Sequence, residues 1–322
     1  MREASFRRLN QERWQRYEKQ PTSPDPDELA ARFVALTDDL AYAQTFYPQS
    51  DTTAYLNQLA SRQHQAIYKN KTETSGRFGR FWLREVPLVV SRHRPEIRWA
   101  LLIFVLSALI GALSAAYDDT FVRVVLGDSY VNMTLDNIRH GDPMGVYKQG
   151  PEAPMFFQIT FNNVRVALLT FVFGITAGIG TSFMMFRNGL MLGAFQYFFF
   201  RHKVLVASLL TVWIHGTLEI SSIVLAGGAG YVLARGFLFP GTYPRGEAFR
   251  LAAREGLKLA LGLVPLFFVA GFLESFVTRH TEMPVALSLF IIGSSATFIG
   301  WYFVVLPRQL RQRGEQEAEA AA

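Results

Sequence analysis

Five long stretches of the chain carry almost no charge, and nothing else in the sequence constrains the fold as strongly. Trp99–Tyr117 runs 19 residues and Val166–Phe186 runs 21 without a charged side chain. Val204–Ala234 is 31 residues long and holds only His215 and Glu219. Leu259–Thr278 holds only Glu274, and Met283–Pro307 runs 25 residues with no charge. A bilayer core of roughly 30 Å takes about 20 residues of helix, so each stretch is long enough to span it. A sixth stretch, Asn188–Phe200, is uncharged for only 13 residues, roughly 20 Å as helix. Extended back through Met184 and Met185, with Arg201 and Lys203 snorkelling to the far interface, it reaches across. The other reading is a re-entrant hairpin. An all-α polytopic membrane protein of six transmembrane helices is expected.

The distribution of charge supports the count of six. The 322 residues include 32 Lys+Arg and 26 Asp+Glu, net +6, and only 18% are charged, against about a quarter in a soluble domain. This excludes a disordered chain and speaks against an ordinary soluble enzyme. Residues 1–96 hold 15 basic and 12 acidic side chains, net +3. Residues 117–160 hold three basic and six acidic, net −3, and residues 235–258 hold five basic and two acidic, net +3. Lys and Arg accumulate on the cytoplasmic side, so the first and third segments are placed inside, the second outside, and both termini in the cytoplasm. Arg201 and Lys203 face outward against this rule. The basic excess then reads as an orientation signal, and a nucleic-acid partner is not expected. Met1–Gln20 lacks an apolar h-region, so the first span is expected to act as the insertion signal. With no cysteine, disulfides, thiolate nucleophiles and Cys-based metal sites are excluded.

The first 75 residues read as a cytoplasmic helical region. Phe6, Leu9, Trp14 and Tyr17 recur at helical spacing. After Pro21, Pro24 and Pro26, Asp27 is a candidate cap for a second helix bearing Leu29, Phe33, Leu36 and Leu40. Asp51 is a candidate cap for a third, with Tyr55, Leu56, Leu59, Ala66 and Ile67 on its apolar side. In residues 76–96, Arg77, Arg80, Trp82 and Arg84 interleave basic and aromatic side chains, the pattern of an amphipathic segment lying among lipid headgroups. The outer segment 117–160 repeats Val122, Val125, Leu126 and Tyr130 at helical spacing, with Pro143, Pro151 and Pro154 breaking its later part. The transmembrane domain covers residues 97–306. The tail 307–322 is basic, then rich in Glu and Ala, and is expected to fray.

Ionisable groups inside spans are costly unless paired or hydrated, and each is a functional candidate. His215 and Glu219 stand at i and i+4, on one helix face. Glu274 lies near the outer end of the next long span. Arg165 sits beside Asn162 and Asn163. Three readings follow. Glu219 pairs with Arg165 or His215 and locks helices together, helped by close packing at Gly174, Gly178, Gly227, Gly228 and Gly230. Or His215, Glu219 and Glu274 line a path for protons or ions, the 31-residue run being long enough for its glycines to break it near the midplane. Or the three bind a metal that activates water for intramembrane hydrolysis, although no H-E-x-x-H spacing is present. No nucleotide-binding, catalytic-triad or cofactor motif occurs, so no cofactor is expected.

Several of these residues fall into a pattern. Asn162-Asn163, Arg187-Asn188-Gly189-Leu190-Met191-Leu192-Gly193, His215-Gly216-Thr217-Leu218-Glu219, Ala226-Gly227-Gly228-Ala229-Gly230, Pro240-Gly241, Arg245 and Glu274 together resemble the stage II sporulation protein M family of integral membrane proteins, over roughly residues 97–306. The resemblance implies residence in the bacterial cytoplasmic (inner) membrane. In sporulating members it implies anchoring of a peptidoglycan-hydrolysing complex that drives engulfment. The long N-terminal region looks like the larger bacterial relatives, and the family brings no catalytic residue to carry over. The leading expectation is a scaffold or regulator of an envelope-associated complex. It would contact membrane lipid and envelope or membrane protein partners, and would self-associate as a homo-oligomer through its glycine-rich faces.

Overall fold

A computed structural model describes residues 1–19, 26–68, 76–148 and 150–320. Pro21, Pro24, the boundary at residue 75 and the side chains of Ala66 and Ile67 lie outside the described residues. The described residues contain helices and no strands, and they divide into two compact units, Met1–Arg77 and Phe78–Ala322.

The first unit is a three-helix bundle of α1 (Glu3–Lys19), α2 (Pro26–Phe46) and α3 (Asp51–Tyr68). Its core joins Phe6, Trp14 and Tyr17 to Leu36, Ala43, Leu56, Leu59 and Ala60. Trp14 Nε1 donates to Asp39 at 2.7 Å and Thr52 Oγ1 donates to Glu3 at 2.7 Å, so the bundle is also stitched by polar contacts. Two caps differ from expectation. Helix α2 starts at Pro26, one residue ahead of Asp27, because proline suits a first helical turn. The cap of α3 is Ser50, whose hydroxyl accepts the Thr53 N–H, since Asp51 is already helical.

The second unit begins within α4 (Arg77–Arg80), at Phe78, and continues with a π-helical turn over Phe81–Glu85 and α5 (Val86–Arg92), followed by the first long apolar helix, α6 (Arg94–Tyr117). The segment that follows α6 supplies α7 (Phe121–Leu126), α8 (Asp128–Arg139) and a 3-10 turn, Gly145–Lys148. The expected single helix there is broken in two at Gly127, whose φ of +87° suits glycine. Then come α9 (Glu152–Val172), α10 (Ile179–Arg201), α11 (Leu205–Leu238), α12 (Arg245–Gly262), α13 (Val264–Phe272), a π turn at Leu273–Val277, α14 (Val285–Gly300), a π turn at Trp301–Val305 and α15 (Leu306–Ala320).

Among the described residues, five helices are long and apolar enough to cross a membrane: Arg94–Tyr117, Glu152–Thr176, Leu205–Leu238, Arg245–Val277 and Val285–Arg313. The sixth expected span corresponds to α10, which at 23 residues, about 34 Å, is long enough. Arg187, Asn188 and Gln196 keep it from matching the others in apolarity. It is one unbroken helix, so the hairpin reading is set aside. The uncharged run Val166–Phe186 is not one span. It crosses a break where Ala177 and Gly178 both take positive φ, and α9 starts at Glu152. Pro154 is tolerated there because a first helical turn has no partner for its N–H groups. The tail differs too: α15 is helical to Ala320, as Glu, Gln and Ala favour helix.

Helix α11 is the axis of this unit. It is 34 residues long, about 51 Å, and unbroken, so its glycines do not interrupt it near the midplane. They serve close packing instead. A Cβ on Gly227 would strike Met185 and Ala100, on Gly228 it would strike Ile97, and on Gly230 it would strike Thr181 and the Thr170 carbonyl. Gly174 meets the Gly230 carbonyl in the same way. The tightest pair is α6 with α10, where Gly111 faces the Leu190 carbonyl, Gly189 the Phe104 carbonyl and Gly193 the Ala108 carbonyl. The signal for this contact, Gly189 and Gly193 at i and i+4, is the small-residue spacing that lets helices approach in lipid. At the ends rich in basic residues, Arg235 pairs with the buried Glu96 at 2.6 Å, and Glu255 receives Arg92 and His93. Overpacking costs about 1–3 kcal/mol or more. Gly193→Val is therefore expected to lower the melting temperature in detergent or abolish folding, while Gly246→Ala, which meets open space, leaves melting unchanged.

Candidate functional site

The unbroken α11 holds His215 and Glu219 on one face, and the π turn after α13 brings Glu274 to them. In that turn the Thr278 N–H reaches back five residues to the Leu273 carbonyl at 2.8 Å. The extra residue of a π turn re-aims the side chains around it. One ligating atom from each of His215, Glu219 and Glu274 lies within 4.8 Å of the other two. His215 Nε2 stands 3.9 Å from Glu274 Oε1, too far for a hydrogen bond. Its Nδ1 is 3.1 Å from Thr278 Oγ1, which donates in turn to the Leu273 carbonyl at 3.0 Å.

The cluster is walled on several sides. Tyr147, buried in the segment between α6 and α9, sets its ring edge-on to His215 at 5.6 Å between centroids. Burial pushes the Tyr147 phenol well above its ordinary pKa, so it stays neutral. Asn163 of α9 is buried, with its side chain in hydrogen-bonding reach of Glu219. The segment between α6 and α9 covers this end through Val122, Val131, Met144 and Tyr147, packed on Ala115, Phe198, Phe199 and Val212. Thr278 and Tyr147 were not singled out by sequence. Thr278 had a weak signal, being four residues after Glu274; Tyr147 had none.

Other candidates fall elsewhere. Arg165 lies exposed, and among the described residues no ion pair joins it to Glu219. Two residues of helix turn a side chain through about 200°, so Asn163 and Arg165 cannot share a face. Asn162 is exposed and donates to Asn163 at 3.5 Å. In the interfacial segment, Trp82 Nε1 donates to the Gly262 carbonyl at 3.3 Å and Tyr302 donates to the Trp82 carbonyl at 2.5 Å. Trp82 is thus pinned to the membrane unit, Arg80 and Arg84 are exposed on its chain neighbours, and Arg77 closes the first unit.

Chemically the cluster offers an imidazole and two carboxylates converging on one point. Such a set can hold a cation or share protons. It offers no activated hydroxyl, because the Thr278 proton is committed to a backbone carbonyl.

Among known families, the one described as Stage II sporulation protein M matches residues 100–279, and a domain of unknown function (DUF8413) matches residues 4–69. Comparison with curated proteins and with solved structures yields no significant match. The sporulation family covers more than half of the chain, including most of α6, all of α9, α10 and α11, and all three residues of the polar cluster. This chain is a member of the stage II sporulation protein M family of integral membrane proteins.

Proposed function

We propose that the protein is a six-span scaffold of the cytoplasmic membrane, with both termini inside, holding an intramembrane partner of an envelope-associated complex. The observation that carries this reading is the state of the last span. Only 11% of its most apolar stretch is buried within the chain, against 61% for α11. Its outward face is not simply greasy. Leu289, Phe290, Gly293, Ser294, Thr297, Phe298 and Trp301 line a shallow groove of about 560 Å³. Small residues let another helix come close, and hydroxyls facing hydrocarbon are best satisfied by a neighbouring helix.

The six-span topology draws on α10 and on the loop charges. The outward Arg201 is matched by Asp119 through a two-pronged ion pair, its Nη2 2.9 Å from Oδ2. That hydrogen-bonded guanidinium holds the Asp119 carboxyl below the usual carboxylate range. The outward positive charge is thereby offset locally. A conduit for ions or protons is the weaker reading, because Tyr147 stands against His215 and closes the cluster toward the outer segment.

Two measurements test this. In a chain with no native cysteine, an impermeant maleimide is expected to label Ser129→Cys in intact spheroplasts and Thr242→Cys only after permeabilisation; the reverse pattern overturns the orientation. A photocrosslinker at Thr297 is expected to capture one defined membrane protein, a second copy included. Gly293→Leu, which fills the groove, should weaken that capture about tenfold, equivalent to roughly 1.4 kcal/mol. Absence of any adduct from native membranes, with a comparable probe at Val105 as control, overturns the scaffold reading.

A further inference from the structure

The polar cluster contains an arrangement of lone pairs that its own protein partners leave unanswered. Thr278 donates its hydroxyl proton to the Leu273 carbonyl at 3.0 Å. Its oxygen, 3.1 Å from His215 Nδ1, must therefore accept from that nitrogen. This assigns the proton of a neutral imidazole to Nδ1 and leaves Nε2 as a bare lone pair. His215 is only 5% exposed, and among the described residues no donor reaches its Nε2. What faces Nε2 instead is the Glu274 carboxylate at 3.9 Å, with Glu219 in the same small space. Among the described residues no Lys or Arg pairs with either glutamate. Three acceptors pointed at one another repel unless a proton or a metal cation stands between them.

We propose that His215 Nε2 and one carboxylate oxygen each of Glu219 and Glu274 bind a single divalent transition-metal ion, zinc by the nature of its donors. An imidazole with two carboxylates suits zinc, at about 2.0–2.2 Å from each ligand. Calcium and magnesium take oxygen donors only. Tetrahedral bonds of that length set the ligand atoms about 3.4 Å apart. The three atoms, already within 4.8 Å, reach this spacing by small side-chain rotations. The Thr278 contact is then an outer-shell bond that orients a metal-ligating histidine and selects the nitrogen it presents. A divalent ion also balances two carboxylates in a site with no basic partner.

The test uses the full-length protein in detergent, purified through a tag without histidine, loaded with zinc sulfate, dialysed against metal-free buffer and measured by elemental analysis. About one zinc per chain is expected, with X-ray absorption showing nitrogen and oxygen ligands and no sulfur. Glu219→Gln and Glu274→Gln should each lower zinc affinity at least tenfold. Thr278→Val keeps all three ligands and should lower it by about 10–100-fold, so the site can still be judged if a glutamate variant fails to fold. A wild-type protein that retains no zinc overturns the proposal, as does zinc binding unchanged in these variants, which would mark adventitious binding elsewhere. Partner capture at Thr297 is read separately: a wild-type protein that retains no zinc after loading yet still captures its partner overturns this proposal alone.

Discussion

Helix α11 can occupy the centre of the membrane unit only because its neighbours approach to the distance of backbone contact. In water, burial of apolar surface would drive such helices together; in lipid that force is absent, and packing must come from van der Waals fit between close surfaces. Gly227, Gly228 and Gly230 on α11 provide that fit against α6, α9 and α10. Gly111, Gly189 and Gly193 provide it between α6 and α10. These approaches fix the positions of the helices that surround the polar cluster.

The cluster depends on this frame in a specific way. His215 and Glu219 are presented by a rod that cannot bend, while Glu274 arrives on a π turn whose extra residue is paid out just before Thr278. The segment between α6 and α9 then settles over His215 with Tyr147. A buried imidazole between two carboxylates is expensive to assemble, and it persists here because α9, α11 and the π turn hold the groups from three sides. By contrast, α14 is held on one side only. The same chain thus pairs a closely packed interior around α11 with an open apolar flank on α14.

Much of this was legible in the sequence. The spans, the family, the shared face of His215 and Glu219, and the closeness of Glu274 to them follow from uncharged runs, residue spacing and motif. Other features were not. Asn163 rather than Arg165 faces Glu219, which depends on how α9 is rotated about its axis. The run Val166–Phe186 hides the break at Ala177 and Gly178, because apolar residues mark membrane depth and not helix continuity. Ser50 caps α3 where the spacing pointed to Asp51, because the helix already includes Asp51 as its first residue.

By itself the amino-acid sequence determined that this is a helical membrane protein of the stage II sporulation protein M family, because the bilayer imposes length and charge rules that operate on each segment locally. The tertiary structure alone decided which polar groups meet. It set Thr278 behind His215, Tyr147 over it and the glutamates before it, and it left the α14 groove uncovered. These are relations between segments far apart in the chain, and they follow from helix rotation, π turns and close glycine packing, none of which a local pattern of hydrophobicity and charge can specify.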